Sequence, residues 1–558
     1  MSTARISHTG PRTLAAFLFI LLIAAVYAGV WLAFPNLTAG AGGNDTLFLA
    51  DGARRIAAGQ IPHLDFSLPT GVLPYFSYFL SEELPPQIPA YIGSPLLGFL
   101  LLAPFLAVAC AQIPSRVAGA ALIAVVAIAS LLPFNTNANE LCGNAFYASY
   151  NRFGAALTLV YLAWFFRASS APVWLNTVIV TALLLIALIS KVVYLGVILG
   201  PLIVYSLFDA RWRKVALISF AIAALILIAV QLSTGMLGGY LADIRAMATV
   251  NRGRAPYFLA SFVYKSFFEL LLFGLLILAL LIERWTMAVR TTGNWFARLS
   301  IIRQPVAMAA AVGAIIVAES QSTGGLEIAG ALGLLFAPGL LGRPLDTKRL
   351  VLLVATATLI GGNLAINAFE KGMCSLVNRL GAPEHVAWTD PFMPHLVVPE
   401  PMVKTALSRV ALWTDGAETM RALEDKGHFY IKPAEAELYL AQWKTVDDAT
   451  KALKDRGTTD LGRVTTIAHV DLFGVAMKAA PPKGLKLVLD IGRTVLPMAD
   501  DEAKSYLANV DTVFVSACAL SRTFGNEPAT LWFSAVLNAQ FKAEALTPCW
   551  TMYRRKTS

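Results

Sequence analysis

Charged residues are scarce in this sequence, at 14% of its 558 residues, against about 25% in a typical soluble domain. Hydrophobic residues make up 57% of the chain, and its mean hydropathy is +0.64. So few charges cannot cover the surface of a soluble protein of this length. The composition excludes an ordinary soluble enzyme and predicts an integral membrane protein.

Histidine and cysteine are also scarce, with six and five residues. The histidines show no His-Glu-X-X-His or similar spacing, and the cysteines show no zinc-site spacing. Neither a Gly-X-Ser-X-Gly nucleophile elbow nor a Walker-type glycine-rich loop occurs. These absences disfavour soluble ATP-driven chemistry, and nothing in the sequence suggests a nucleic-acid partner.

Long apolar stretches are abundant, and eleven of them are candidate membrane spans. A crossing needs roughly 20 residues and tolerates about 17, so several short stretches leave the count uncertain by about two. The first stretch is too long for a signal peptide and has no convincing cleavage site, so we interpret it as a retained span. The candidates are 13–35, 89–112, 117–133, 153–166, 174–189, 192–207, 215–233, 260–282, 305–319, 325–341 and 350–367.

The net charge of +9 matters less than where its basic residues lie. Most of those in the apolar body fall in alternate connections, the pattern of cytoplasmic loops. This predicts a multi-pass protein of the cytoplasmic membrane with a cytoplasmic N-terminus. An odd number of spans then places the tail outside, together with the loops at 36–88, 134–152, 234–259 and 320–324, which we call the first to fourth outer loops.

The composition changes near residue 367, which predicts two domains. Residues 1–367 form an apolar transmembrane domain, and residues 368–558 mix helical patterns such as 418–425 with β-branched runs such as 485–489 and 512–515. A tail of this length can bury its own core. The expected architecture is an α-helical polytopic membrane protein of about eleven spans with a C-terminal extracytoplasmic α/β domain.

Four of the five cysteines fall outside in this topology, where disulfides are permitted. A bridge between Cys518 and Cys549 is plausible, and unpaired thiols are about as well supported. Cys142 and Cys374 are the other two outer cysteines, and Cys110 lies within a span.

The first outer loop carries an acidic residue directly after the first span. Leu49, Ala53 and Ile56 recur at helical spacing after Asp45, which predicts an amphipathic helix on the outer membrane surface. Asp51 and Arg55 are one turn apart on it and are expected to pair. Asp45 at its start has two interpretations: Asn44 or Asp45 caps the helix, or Asp45 is a general base for a hydroxyl acceptor.

This loop resembles the first outer loop of GT-C type glycosyltransferases, polytopic enzymes that take sugars from polyprenyl-phosphate donors. The resemblance rests on Asp45, Ala53-Arg54-Arg55, Gly59-Gln60, Pro62-His63-Leu64-Asp65-Phe66 and Pro69-Thr70-Gly71. It implies that Asp45 is the catalytic base. The family often has a second acidic residue next to the first, but here Thr46 follows, so the sequence leaves open whether Asp45 acts alone, with Asp51 or with Asp65.

Four basic residues are candidates to hold the donor phosphate. Arg152 lies at the end of the second outer loop and Lys191 between two apolar runs, where an ionisable residue is a functional candidate. Arg245 and Arg252 make the third outer loop basic although it faces outside. The alternatives are an interfacial arginine, a snorkelling lysine, and contact of the third loop with anionic lipid or with the tail.

Four further polar residues are candidates to bind the sugar or the acceptor: His63, Glu319, Gln321 and Glu327. The last three surround Gly324 and Gly325, which allow a tight return into the membrane. Glu319, Gln321 and Glu327 would also suit a metal, although structural pairing with an outer arginine explains the acids equally well.

The sequence therefore predicts a glycosyltransferase on the outer face of the membrane. It would move a sugar from a polyprenyl-phosphate donor to a hydroxyl of a glycan, lipid or protein acceptor, with a divalent metal compatible but not required. The main alternative is a transporter or flippase of a lipid-linked saccharide, which needs polar residues deep in several spans. A third alternative is a membrane-anchored binding protein whose tail carries the activity.

Overall fold

The computed structural model describes residues 9–40, 42–133, 144, 149–168, 171–321, 327–338, 340, 347–380, 384–415, 435–458, 460–518 and 527–556. The part up to residue 380 is helical. Its α-helices are α1 (Thr9–Ala33), α2 (Gly43–Ala57), α3 (Leu73–Ser81), α4 (Ala90–Gln112), α5 (Arg116–Leu131), α6 (Ser149–Phe165), α7 (Val173–Ser190), α8 (Leu195–Phe208), α9 (Ala210–Thr234), α10 (Met236–Asn251), α11 (Ala255–Lys265), α12 (Phe267–Thr291), α13 (Trp295–Ser320), α14 (Thr347–Thr356) and α15 (Gly362–Leu380).

Six helical segments among the described residues are long and apolar enough to cross a membrane: α1, α4, α7, α9, α13 and 353–370. The bent pair α11 and α12 makes a seventh if it is counted as one span, because its axis turns by 78° at Ser266. Two predicted spans, at 117–133 and 192–207, form shorter apolar helices. A multi-pass helical protein is confirmed, but the predicted count of eleven is not.

The predicted span at 325–341 differs most from expectation. Glu327–Phe336 is a 3₁₀ helix, which rises about 2 Å per residue and is too short to cross alone. It packs against α6, where Gly333 lies so close to Leu159 that a methyl group would approach the Leu159 carbonyl oxygen within 2.7 Å. Small residues allow this close contact, and the segment fills the interior of the bundle.

The part after residue 383 mixes helices and strands, as predicted. Its strands are β3 (Glu384–His385), β4 (Leu396–Val398), β5 (Val464–Ile467), β6 (Leu485–Lys486), β7 (Thr512–Ser516), β8 (Phe541–Thr547) and β9 (Trp550–Arg555), and its α-helices are α16 (Glu400–Asp415), α17 (Glu435–Asp455), α18 (Leu472–Ala476), α19 (Asp500–Tyr506) and α20 (Glu527–Gln540). Four strands form a sheet in the order β5-β7-β9-β8, with only β5 and β7 parallel. We call residues 384–556 the outer part.

The outer part is not separate from the first outer loop. Two short strands of that loop, β1 (Leu37–Thr38) and β2 (Phe66–Ser67), pair in parallel with β4 and β6. Leu47 and Phe48 of α2 belong to the same buried apolar cluster as Trp443 of α17. The predicted boundary at 367/368 falls inside α15, which ends at Leu380.

A buried ionic network fixes α2 against the outer part. Asp51 accepts hydrogen bonds from Arg55 Nε at 3.0 Å and from Arg54 Nε at 3.0 Å, which confirms the predicted pair one turn apart. Arg54 Nη2 also contacts Asp471 Oδ2 of the outer part at 2.8 Å. Burial alone would raise the pKa of Asp51, but Arg55 and Arg54 hold it below its ordinary value. Asp51 therefore stays ionised in a structural role.

The two cysteines of the outer part connect the end of β7 to the start of β9. Cys518 follows β7 and Cys549 precedes β9, and the two form a disulfide with their Cα atoms 4.5 Å apart. The plausible bridge is confirmed. Cys142 and the side chain of Cys374 lie outside the described residues, as does the predicted helix at 418–425.

Candidate functional site

A cavity of about 370 Å³ lies where the membrane part meets the outer part. Its walls come from α2, the turn after β2, the start of α6, the α7–α8 connection, α10 and the segment after β6. Residues of all four predicted outer loops and of the outer part thus share one cavity, which agrees with their predicted placement on one side. Its polar lining consists of Asp45, Thr70, Tyr150, Asn151, Lys191, Tyr240, Asp243, Asn251, Gln321, His469, Asp490, Arg493 and Thr494.

Asp45 reaches the cavity from the first turn of α2. The helix begins at Gly43, and the residue before it, Gly42, has no side chain to cap it. Asp45 is half-buried. Its carboxyl group therefore lies near the positive end of the helix dipole, at the cavity wall.

Lys191 lies directly after the last residue of α7, in the connection to α8. Its ammonium donates to Asn151 Oδ1 at 2.8 Å and lies 5.5 Å from the ring centre of Tyr150. Burial lowers the pKa of Lys191 to about 8; Glu319 opposes this shift and Arg493 adds to it. The cavity therefore contains a poorly solvated cation, which an anionic ligand would stabilise.

A close contact between the turn after β2 and the end of α7 holds this lysine in place. The Gly71 amide donates to the Ser190 carbonyl at 3.0 Å, and a methyl group on Gly71 would lie 2.2 Å from the Ile189 carbonyl oxygen. On the other side, the Tyr194 hydroxyl lies 2.8 Å from Glu319 Oε1. These contacts fix the backbone on both sides of Lys191.

Asp243 of α10 is a second carboxylate in the cavity, and His63 orients it. Asp243 Oδ2 lies 2.7 Å from His63 Nδ1 and accepts the Leu68 amide at 3.1 Å. The His63 ring packs against Tyr240, with centroids 4.6 Å apart, and its backbone φ is +62°. His63, predicted to bind sugar or acceptor, is buried behind Asp243, so any contact with a ligand would be through this carboxylate.

The outer part contributes His469, Asp490 and Arg493, which were not among the predicted site residues. Arg493 Nη1 lies 3.2 Å from Asp490 Oδ2. Burial lowers the pKa of His469, an effect that Asp490 opposes and Arg493 increases. The sequence does show the turn Asp490-Ile491-Gly492-Arg493 after an apolar run. No feature of the neighbouring sequence links this turn to Asp45.

The other predicted site residues are divided between the cavity and its surroundings. Gln321 lines the cavity, whereas Glu319 is buried behind it against Tyr194. Asp65 is not in the lining; it accepts the Ile61 amide at 2.9 Å and pairs with Lys483 at 3.0 Å.

The remaining predicted cations are also outside the lining. Arg152 is buried in α6, one residue beyond the cavity residue Asn151, and Arg245 and Arg252 are exposed. The side chain of Glu327 lies outside the described residues. Within the described ranges, no group of three His, Cys, Asp or Glu residues is placed to hold a metal ion.

Gly154 provides a test of how tightly Tyr194 is packed. An added methyl group would lie 2.0 Å from Tyr194 Cε2, so Gly154→Ala must displace this ring. Such overpacking typically costs about 1–3 kcal/mol. We expect a lower midpoint of thermal unfolding in detergent.

The matched control is Gly313→Ala in α13, where a methyl group would meet no heavy atom of the described residues within 4 Å. Alanine favours a helix over glycine by roughly 1 kcal/mol, so this variant should be at least as stable as the wild type. Equal midpoints for the wild type and Gly154→Ala would contradict the packing.

Fold and cavity together define a polytopic helical membrane protein with a charged cavity beneath an α/β outer part. No family model and no curated protein matches the chain. Two solved structures are similar in fold: ArnT from Cupriavidus metallidurans bound to undecaprenyl phosphate (14% identity, 97% of this chain and 99% of that chain, TM-score 0.42) and in the apo state (15%, 97% and 98%, 0.40).

At TM-scores below 0.5 and identities near 15%, this likeness carries no argument for activity. The function is therefore inferred from the residues of the cavity.

Proposed function

We propose that the protein is a glycosyltransferase that moves a sugar from a polyprenyl-phosphate donor to an acceptor hydroxyl at the outer membrane surface. The observation that carries this proposal is a cavity at the end of the membrane helices that holds both an acid, Asp45, and a half-buried cation, Lys191. A base for the acceptor and a cation for a phosphate are the two groups that such a transfer needs.

The reaction is a single displacement. The acceptor oxygen attacks the anomeric carbon while Asp45 takes its proton, and the bond from that carbon to the phosphate oxygen breaks. The electron pair of this bond leaves with the polyprenyl phosphate, which gains a second negative charge. Lys191 stabilises that developing charge, and one displacement inverts the anomeric centre.

An apolar groove next to the cavity supports a lipid donor. This groove of about 390 Å³ is lined by α3, α4 and α6, and Tyr150 lies in its wall and in the wall of the charged cavity. An isoprenoid chain could pack against Phe76, Leu80 and Leu101 while its phosphate reaches Lys191. A water-soluble nucleotide sugar has no lipid chain that could bind in such a groove.

Three carboxylates line the cavity, and we assign the role of base to Asp45, the acid directly after the first helix that the resemblance of the first outer loop implies. Asp243 is engaged by His63 and by the Leu68 amide, and Asp490 pairs with Arg493. We assign acceptor binding to Asp243 and Gln321, and the acceptor is a glycan, lipid or protein hydroxyl.

The pKa of Lys191 predicts how activity depends on pH. Below pH 8 its ammonium is protonated and binds the donor phosphate; above pH 8 the cation is lost. The kcat/KM for the donor should therefore fall roughly tenfold per pH unit on the alkaline side. Because arginine stays protonated throughout this range, Lys191→Arg should remove this decline. An unchanged decline in kcat/KM in that variant would rule out Lys191 as its source.

Transfer and transport can be separated in vesicles that contain the purified protein. A donor labelled in its sugar is added on one side together with a membrane extract as a source of acceptors. A glycosyltransferase moves the label from the lipid to another molecule. A flippase leaves the label on the lipid and changes only its leaflet, and that result would overturn the proposal.

A further inference from the structure

We propose that Arg493 of the outer part is the second cation for the donor phosphate, so that the phosphate site is complete only when both parts of the protein meet. This inference rests on the proposed function and identifies a residue of the same cavity. Lys191 comes from the membrane part, and Arg493 faces the same cavity from the outer part.

The turn that carries Arg493 is held against the membrane part by its backbone. Asn251 Nδ2, at the end of α10, donates to the Arg493 carbonyl at 2.9 Å, and Arg254 Nη1 donates to the Gly492 carbonyl at 2.8 Å. Gly492 has a φ of +75°, and its amide closes the turn on the Val495 carbonyl at 2.8 Å. Because the backbone of this turn is anchored, the Arg493 side chain starts from a fixed position at the cavity wall.

The chemistry of the leaving group requires more than one cation. A sugar phosphodiester carries one negative charge, and the phosphate that leaves carries nearly two. One ammonium can balance the first charge. A guanidinium can donate two parallel hydrogen bonds to the oxygens that become more negative, so Arg493 should favour the leaving group more than the intact donor.

The electrostatics within the cavity agree with this pairing. Arg493 acts on Lys191 as a like charge and helps to lower its pKa, which means that the two cations are close enough to repel. An anion between them would relieve this repulsion. The titratable groups that face Lys191 are Asp45, Tyr150, Tyr194, Tyr240, Asp243, Glu319, His469, Asp490 and Arg493.

The test is direct binding of polyprenyl phosphate, the leaving group, to the purified full-length protein, measured by calorimetry in detergent. We expect Arg493→Gln to weaken binding roughly 10- to 100-fold, the effect of one charged hydrogen bond, and Arg493→Lys to restore part of it. Arg493→Gln should also move the alkaline decline of binding to higher pH, because a repulsive charge near Lys191 is gone. A residue that only supports the fold would not produce this shift.

Arg463→Gln is the matched control, because Arg463 is also in the outer part, is 46% exposed against 44% for Arg493, and also pairs with an aspartate. It should bind polyprenyl phosphate like the wild type. Equal binding by Arg493→Gln and the wild type would overturn the inference.

The two proposals fail in different ways. If the wild type binds polyprenyl phosphate but transfers no sugar, the proposed function is wrong and Arg493 is still judged by binding. If the wild type does not bind polyprenyl phosphate, both proposals are wrong.

Discussion

Asp45→Asn is expected to lower turnover by about 10²- to 10⁴-fold, the usual contribution of a general base. Asparagine has nearly the same size but cannot take a proton, and Asp45 lies at the wall of the cavity in the first turn of α2. Donor binding should stay within a few-fold of the wild type, because the cations that hold the phosphate are unchanged. Transfer of labelled sugar and donor binding are measured on the same preparation.

The controls for this prediction are Asp243→Asn and Asp490→Asn, which change the other two carboxylates of the cavity. Both remove a charge from the same site, but neither removes the proposed base. We expect their main effect on KM rather than on kcat. Equal turnover by Asp45→Asn and the wild type would remove Asp45 from the role of base.

Lys191→Met is expected to lower kcat/KM for the donor by roughly 10²- to 10³-fold, as when a donor to a developing oxyanion is lost. Methionine keeps an apolar chain of similar length against Tyr150 but has no charge for the phosphate. Because the ammonium is poorly solvated, its removal should not destabilise the fold. The midpoint of thermal unfolding should therefore be at least that of the wild type.

Lys483→Met is the control for this lysine, since Lys483 is 62% exposed and pairs with Asp65 outside the cavity lining. It should leave kcat/KM close to that of the wild type. A similar loss in both variants would indicate a general effect of surface charge on the lipid donor, and it would contradict a specific role for Lys191.

Short-range features were predictable from the sequence. The pair of Asp51 with Arg55 follows from helical spacing alone. The disulfide of Cys518 with Cys549 is one of the few pairings possible among the cysteines that were predicted to lie outside the membrane. The placement of four loops on one side follows from the basic residues between them. Each of these features depends on the sequence of one segment or on the composition of the whole chain.

Long-range features of the site were not predictable. The strands that join the first loop to the outer part are two or three residues long, too short for an alternating pattern. Arg493 and Asp45 are separated by more than four hundred residues, and they line one cavity because these strands pair. Sequence spacing also cannot show that His63 would be buried behind Asp243.

The predicted count of eleven spans is not confirmed among the described residues, because hydrophobicity does not distinguish a crossing from a buried segment. The stretch at 325–341 is apolar since it packs inside the bundle against α6. The stretch at 260–282 reads as one span, but the helix ends at Lys265 and a new one begins at Phe267. Such helix breaks depend on tertiary packing, which cannot be deduced from composition.

The central claim is that the cavity breaks the bond between a sugar and a polyprenyl phosphate. The most direct measurement is a single-turnover reaction of the purified protein with a donor labelled in both sugar and lipid, in the presence of acceptor, followed by mass spectrometry. The account predicts one polyprenyl phosphate for each sugar transferred, and no such product with Asp45→Asn in the same time. Recovery of intact donor from the wild type, with acceptor present, would contradict it.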